Sequence, residues 1–114
     1  MRFVYKIMGA DEWAAAMRTG TAPPAEIDRR DGYIHLSSED QVLETARIHF
    51  AGRKNLIAAA FDSADFGDAL KWEASRGGAL FPHLYDNLPA GRAVRVVQLE
   101  SDSAGGFKFG EDVK

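Results

Sequence analysis

"GYIHLSS", residues 32–38, decides how this chain is read. Side chains alternate across an extended strand, so Tyr33, His35 and Ser37 share one face while Ile34 and Leu36 share the other. The apolar pair suits a core, leaving an aromatic ring, an imidazole and a hydroxyl on the opposite side. A second stretch, "LFPHLY" at residues 80–85, repeats the arrangement, with Phe81, His83 and Tyr85 on one face and Pro82 and Leu84 on the other. Two of the chain's three histidines thus sit in strand-like apolar surroundings. Aromatic walls with a few convergent polar groups describe a small-molecule cleft. His35 and His83 are therefore expected to line one concave pocket, within a small ligand's length of each other. The competing expectation is a pair of core histidines satisfied by hydrogen bonds inside the protein.

Outward from these stretches, "RFVYKI" reads as a first strand and "ADEWAAAMRTG" as a helix, with Asp11 as its N-cap and Gly20 as its stop. "TAPPAEIDRRDG", with two prolines and five charges, reads as a loop long enough to cover a pocket. Ser37 or Ser38 is expected to cap a helix through "EDQVLETARIHF". Val42, Ala46, His49 and Phe50 would form that helix's inner stripe, which makes His49 a packing residue. "LIAAAF" reads as a buried strand, "DSADFGDA" as a turn-rich loop and "LKWEAS" as a short strand. In the last, Leu70 and Trp72 share one face, Lys71 and Glu73 the other. Pro82 demotes "LFPHLY" to an edge or irregular strand. "RAVRVVQLES" is a further strand, and the tail from Asp102 to Lys114 either adds a last strand or frays. The order β-α-β-α followed by strands predicts an α+β fold: a mixed, mainly antiparallel sheet, continuous or split, with two main helices.

At 114 residues the chain is expected to form one domain, residues 1–114. It has no cysteine, which excludes disulfides, thiolate metal sites and thiol catalysis. Fourteen basic against seventeen acidic residues argue against a nucleic-acid partner, which needs a basic footprint. No apolar run approaches the ~20 residues of a membrane helix, and the N-terminus lacks the pattern of a signal peptide. A cytoplasmic protein without membrane association is the expectation.

Glu73 is the best candidate carboxylate, beside a tryptophan whose ring could stack on a base. Tight metal-ligand spacings such as H-x-H are missing, so no metal is expected. The glycine-bearing turns "GRAVR" and "RGGA" are not phosphate loops. A triad of Ser37, His83 and Asp86 would lack the G-x-S-x-G elbow.

The stretches "VYKI", Trp13, "GYIHLSSEDQ", Phe50, "KWE", "FPHLY" and "AVRVV" together resemble the DUF952 family over residues 1 to about 100. That family is similar in turn to the ADP-ribosyltransferase-like group, whose members clasp NAD in the cleft of a split β-sheet. The resemblance implies an ADP-ribosyltransferase-like fold with Tyr33, His35 and Ser37 on the second strand and Glu73 or His83 as the third element. His35, Glu73 and His83 are then the candidate catalytic residues. Tyr5, Lys6, Tyr33, Ser37, Trp72 and Tyr85 are the candidate ligand contacts, with NAD or a related nucleotide as substrate or ligand. Tyr5 and Lys6 stand where related proteins carry a first-strand histidine. In such chemistry Glu73 would stabilise positive charge growing on the ribose. The alternatives are a binding module without turnover and an interaction domain with core histidines.

Overall fold

The computed structural model describes residues 2–113, apart from the Arg76 side chain. The chain opens with strand β1 (Phe3–Gly9) and helix α1 (Ala10–Thr19). A two-residue strand β2 (Thr21–Ala22) and a short helix α2 (Glu26–Asp31) follow, where the two prolines had suggested a loop. Then come β3 (Ile34–His35), β4 (Ser37–Ser38), helix α3 (Val42–His49) and β5 (Leu56–Asp62). After 3-10 turns over Ser63–Ala69, β6 (Leu70–Ala74) and β7 (Leu80–Leu84) form a hairpin. The chain ends with β8 (Leu88–Pro89), β9 (Arg95–Ser101) and β10 (Phe107–Asp112), so the tail does add a last strand.

All strand pairings are antiparallel. The main sheet has the order β10-β9-β5-β1-β4, a second has β3-β7-β6, and β2 pairs with β8. The fold is thus α+β with antiparallel sheets and few helices. β5 is apolar at nearly every position because both its faces are covered. Ile57, Ala59 and Phe61 pack under α1 with Trp13 and Ala16, while Ala58 and Ala60 pack with Val42 and Ala46 of α3. Among the described residues no helix is long and apolar enough to cross a membrane.

The stretch from Ile34 to Ser38 joins the two larger sheets. Its first half pairs with β7, placing His35 opposite His83, and its second half pairs with β1, placing Ser37 opposite Tyr5. Pro82 sits where the strand changes partners. There it accepts the Leu36 N–H at 3.1 Å. β7 is therefore a central strand rather than the expected edge, and its missing donor is placed where the neighbouring ladder ends anyway.

Three local expectations are corrected. Ser37 and Ser38 belong to a strand, α3 starts only at Val42 and no side chain caps it, because pairing with β1 outcompetes early helix formation. His49 is exposed, beyond the buried stripe of Val42 and Ala46. Helix α1 begins at Ala10, and its first-turn Glu12, not Asp11, reaches back to accept the Gly9 N–H at 2.8 Å.

Candidate functional site

Alternation carries Tyr33, His35, His83 and Tyr85 to the same side of the small sheet. The Tyr33 ring stacks on His83 at 4.1 Å between centroids, with His35 at 4.6 Å and Tyr85 at 5.3 Å. The two imidazoles lie 5.6 Å apart, edge to face. The segment can place Tyr33 here because Gly32, in the left-handed region at φ 85°, ends α2 and turns the chain into β3.

Around His83 the arrangement is a relay. Its Nδ1–H donates to Glu73 Oε1 at 2.8 Å, and the Tyr85 hydroxyl donates to the same oxygen at 2.8 Å. His83 is only 3% exposed, and among the described residues its Nε2 has no hydrogen-bond partner. The His83 and Tyr85 hydrogen bonds hold the Glu73 carboxyl below its usual range. The same hydrogen bond, helped by burial, pushes the Tyr85 phenol up.

Around His35 the arrangement is a hub centred on Asp28, which is 2% exposed. Asp28 Oδ2 accepts from Lys6 Nζ at 2.7 Å and from the Ala25 N–H at 2.8 Å. Its Oδ1 accepts from the His35 N–H at 3.0 Å and from the His35 ring at 2.7 Å. Burial pushes the Asp28 carboxyl up, but the Lys6 ammonium and the hydrogen bonds from Lys6 and His35 outweigh it, and the group titrates below the usual aspartate range. The second ring nitrogen of His35 meets Asp31 Oδ2 at 3.0 Å. Carboxylates only accept, so satisfying both contacts requires a proton on each ring nitrogen. Asp31 is lowered first by its hydrogen bond from Arg30 and further by His35.

Of these groups, Asp31, Tyr33, His35 and His83 open onto a cleft of about 630 Å³ bounded by β1, α2, the β3–β4 segment and α3. Tyr33, His35, His83, Phe81 and Phe50 line it, together with Arg30, His49 and Arg53. A larger hollow of about 820 Å³ beside α1 and β9 has a mainly aliphatic wall without a comparable set of titratable side chains.

Of the residues singled out from sequence, Tyr33, His35, Glu73, His83 and Tyr85 come together. Lys6 is buried, and its ammonium is spent on Asp28 and, at 3.4 Å, on the His35 carbonyl. Ser37 is buried and donates to the Thr45 hydroxyl. The phenol of Tyr5 is turned into the layer under α3, where it donates to Glu39 at 2.9 Å. Trp72 is on the opposite face of β6, packed on the core with the Arg2 guanidinium 3.7 Å above its ring. It is no wall of the cleft, because the alternation that turns Glu73 toward His83 turns its neighbour away. Asp86 is exposed and hydrogen-bonds the Asn87 N–H, so it forms no triad with Ser37 and His83. Asp28, Asp31 and Arg53 were not found from sequence. The only signal for Asp28 was an unpaired Lys6 inside an apolar strand, which implies a buried carboxylate partner.

The chain is similar to protein CC0527 from Caulobacter crescentus. Its crystal structure matches with a TM-score of 0.87 at 42% identity, covering 93% of each chain. A solution NMR structure of the same protein matches with a TM-score of 0.81 at 43% identity, over 91% of this chain and 90% of that one. Among curated proteins no match was found. Residues 7–96 match the model of a family described as a protein of unknown function, DUF952, and the chain belongs to that family.

Proposed function

We propose that the cleft binds a nucleotide-like small molecule, with NAD and ADP-ribose as the first candidates. The observation that carries this reading is the cluster of Tyr33, His35 and His83 rings, opening onto a cleft whose rim bears Arg30, His49 and Arg53. A volume of about 630 Å³ suits a ligand of this class. Phe50, Phe81 and Tyr33 offer ring surface to a base. The Arg53 guanidinium offers phosphate oxygens paired donors, while Arg30 already donates through Nε and Nη2 to Asp31 and adds its charge. The resemblance to ADP-ribosyltransferase-like proteins points to the same ligand class, and the cysteine-free composition suits the cytoplasm, where nucleotides are abundant.

The geometry bears differently on the catalytic part of that resemblance. Glu73 does not line the cleft, and one of its oxygens already accepts two hydrogen bonds. It is poorly disposed to steady positive charge on a ribose. Binding is therefore the conclusion, and NAD-cleaving transfer by Glu73 is not part of it.

Calorimetry and ligand-observed NMR with NAD, ADP-ribose and nicotinamide test the reading. NAD and ADP-ribose are expected to bind, nicotinamide alone much more weakly. Arg53→Ala should cost about tenfold in affinity, as loss of a charge-assisted hydrogen bond does. A folded wild type that binds none of the three at millimolar concentration would sink the proposal.

A further inference from the structure

The geometry points to His83 Nε2 as a general base that hydrolyses the phosphoanhydride of a dinucleotide-type ligand, with Glu73 as its positioning residue. This inference rests on the binding reading above. A carboxylate on Nδ1 fixes the imidazole's rotation and places its proton on that nitrogen, which leaves the Nε2 lone pair as the acceptor. Nothing among the described residues takes that lone pair. No buried side-chain nitrogen or oxygen is left unsatisfied among them either, so Nε2 reaches the open space of the cleft that His83 lines. The second hydrogen bond on Glu73, from Tyr85, and the stacked Tyr33 ring restrain the carboxylate and the imidazole in turn. His35 lacks this freedom, since both its nitrogens meet carboxylates.

The step balances with water as co-reactant. Nε2 takes one proton from a water whose oxygen attacks one phosphorus of the anhydride. The bond from that phosphorus to the bridging oxygen breaks, and the electron pair leaves with the oxygen on the second phosphate. Nε2 then returns the proton to solvent or to the departing phosphate. Arg30 and Arg53 on the rim suit the charge on the phosphates. The anhydride is favoured over the glycosidic bond because breaking the latter needs a free carboxylate oxygen facing the sugar, and Glu73 is turned away and engaged.

Three measurements on the full chain decide it. Long-range ¹H–¹⁵N NMR of the free protein should show that the neutral form of His83 carries its proton on Nδ1; a neutral form with the proton on Nε2 instead would overturn the assignment. Phosphorus NMR with ADP-ribose in ¹⁸O water should show AMP and ribose phosphate, with label in one of them. His83→Asn should lose on the order of 10²–10⁴-fold in kcat. Glu73→Gln, at a site where folding is not at risk, should lose about tenfold or more in kcat with KM nearly unchanged. Binding without any turnover by wild type would overturn the inference and leave the binding proposal standing. Release of nicotinamide from NAD as the sole reaction would also overturn it. Loss of both binding and turnover would count against both.

Discussion

His35 and His83 are cross-strand neighbours that share contact with one Tyr33 ring, and the protein treats them in opposite ways. His35 is held at both ring nitrogens, by Asp28 and by Asp31, and its backbone N–H is bound by Asp28 as well. His83 is held at one nitrogen only, by a carboxylate half open to solvent. The first arrangement locks α2 and β1 onto β3, because Asp28 comes from α2 and Lys6 from β1. The second orients a ring and leaves it unspent. A buried charge cluster specifies structure, whereas a half-satisfied imidazole beside a cleft is available for chemistry. The following measurements break or sharpen that contrast.

The largest effect should come from Asp28→Ala. It strands the buried Lys6 ammonium and leaves the Ala25 and His35 N–H groups without their acceptor. Removing one partner of a buried pair costs about 3–5 kcal/mol. Urea unfolding should show a loss of this size. A loss under 1 kcal/mol would mean that the hub contributes little to the fold.

Tyr33→Ala comes next. It removes a ring stacked on His83 and tilted on His35, at about 0.5–1.5 kcal/mol for each aromatic contact. A loss near 2 kcal/mol in the same assay is expected, together with weaker ligand binding. If binding is untouched, the stack is packing alone and the contrast between the histidines loses its functional half.

Gly32→Ala should be milder. Nothing lies within 4 Å of where the new methyl would sit, so the cost is the left-handed backbone itself, about 1–2 kcal/mol. Gly32→Asn should recover part of it, since asparagine tolerates this conformation. Equal losses for the two would point to a role for Gly32 other than its backbone angle.

How much of this could be read from the chain follows from how local each signal is. The shared face of Tyr33, His35, His83 and Tyr85 depends only on alternation along two strands, and it was legible. So were β5, β6, β9 and the Gly20 stop. The Asp28–Lys6 pair joins residues 22 positions apart, and the proline-bearing stretch around Asp28 looked like a loop. Ser37 and Ser38 carry the chemistry of a helix cap, yet β1 claims them as a strand, a choice made by Tyr5 and Val4, far away in sequence. Trp72 and Glu73 looked like one pair of ligands because they are neighbours. In a strand, neighbours face opposite ways.

The smallest stability effect is expected from Glu73→Gln, and pH separates it from Asp28. Both carboxyls are held below their ordinary values in the folded protein. For such a group the folded state binds fewer protons than the unfolded one near the unfolded value, about 3.9 for aspartate. Its stabilisation is complete above that value and drains away as pH falls through the folded value. Asp28 is buried, so this drain should dominate the acid limb of wild-type stability below about pH 4. Glu73 is exposed enough for solvent to screen its contacts. Urea midpoints measured from pH 6 down to pH 3 should therefore fall steeply for wild type and equally steeply for Glu73→Gln. Asp28→Asn should start lower and fall less. A Glu73→Gln curve flatter than that of wild type would show that the His83 side also holds the fold together, and the division of labour between the two histidines would fail.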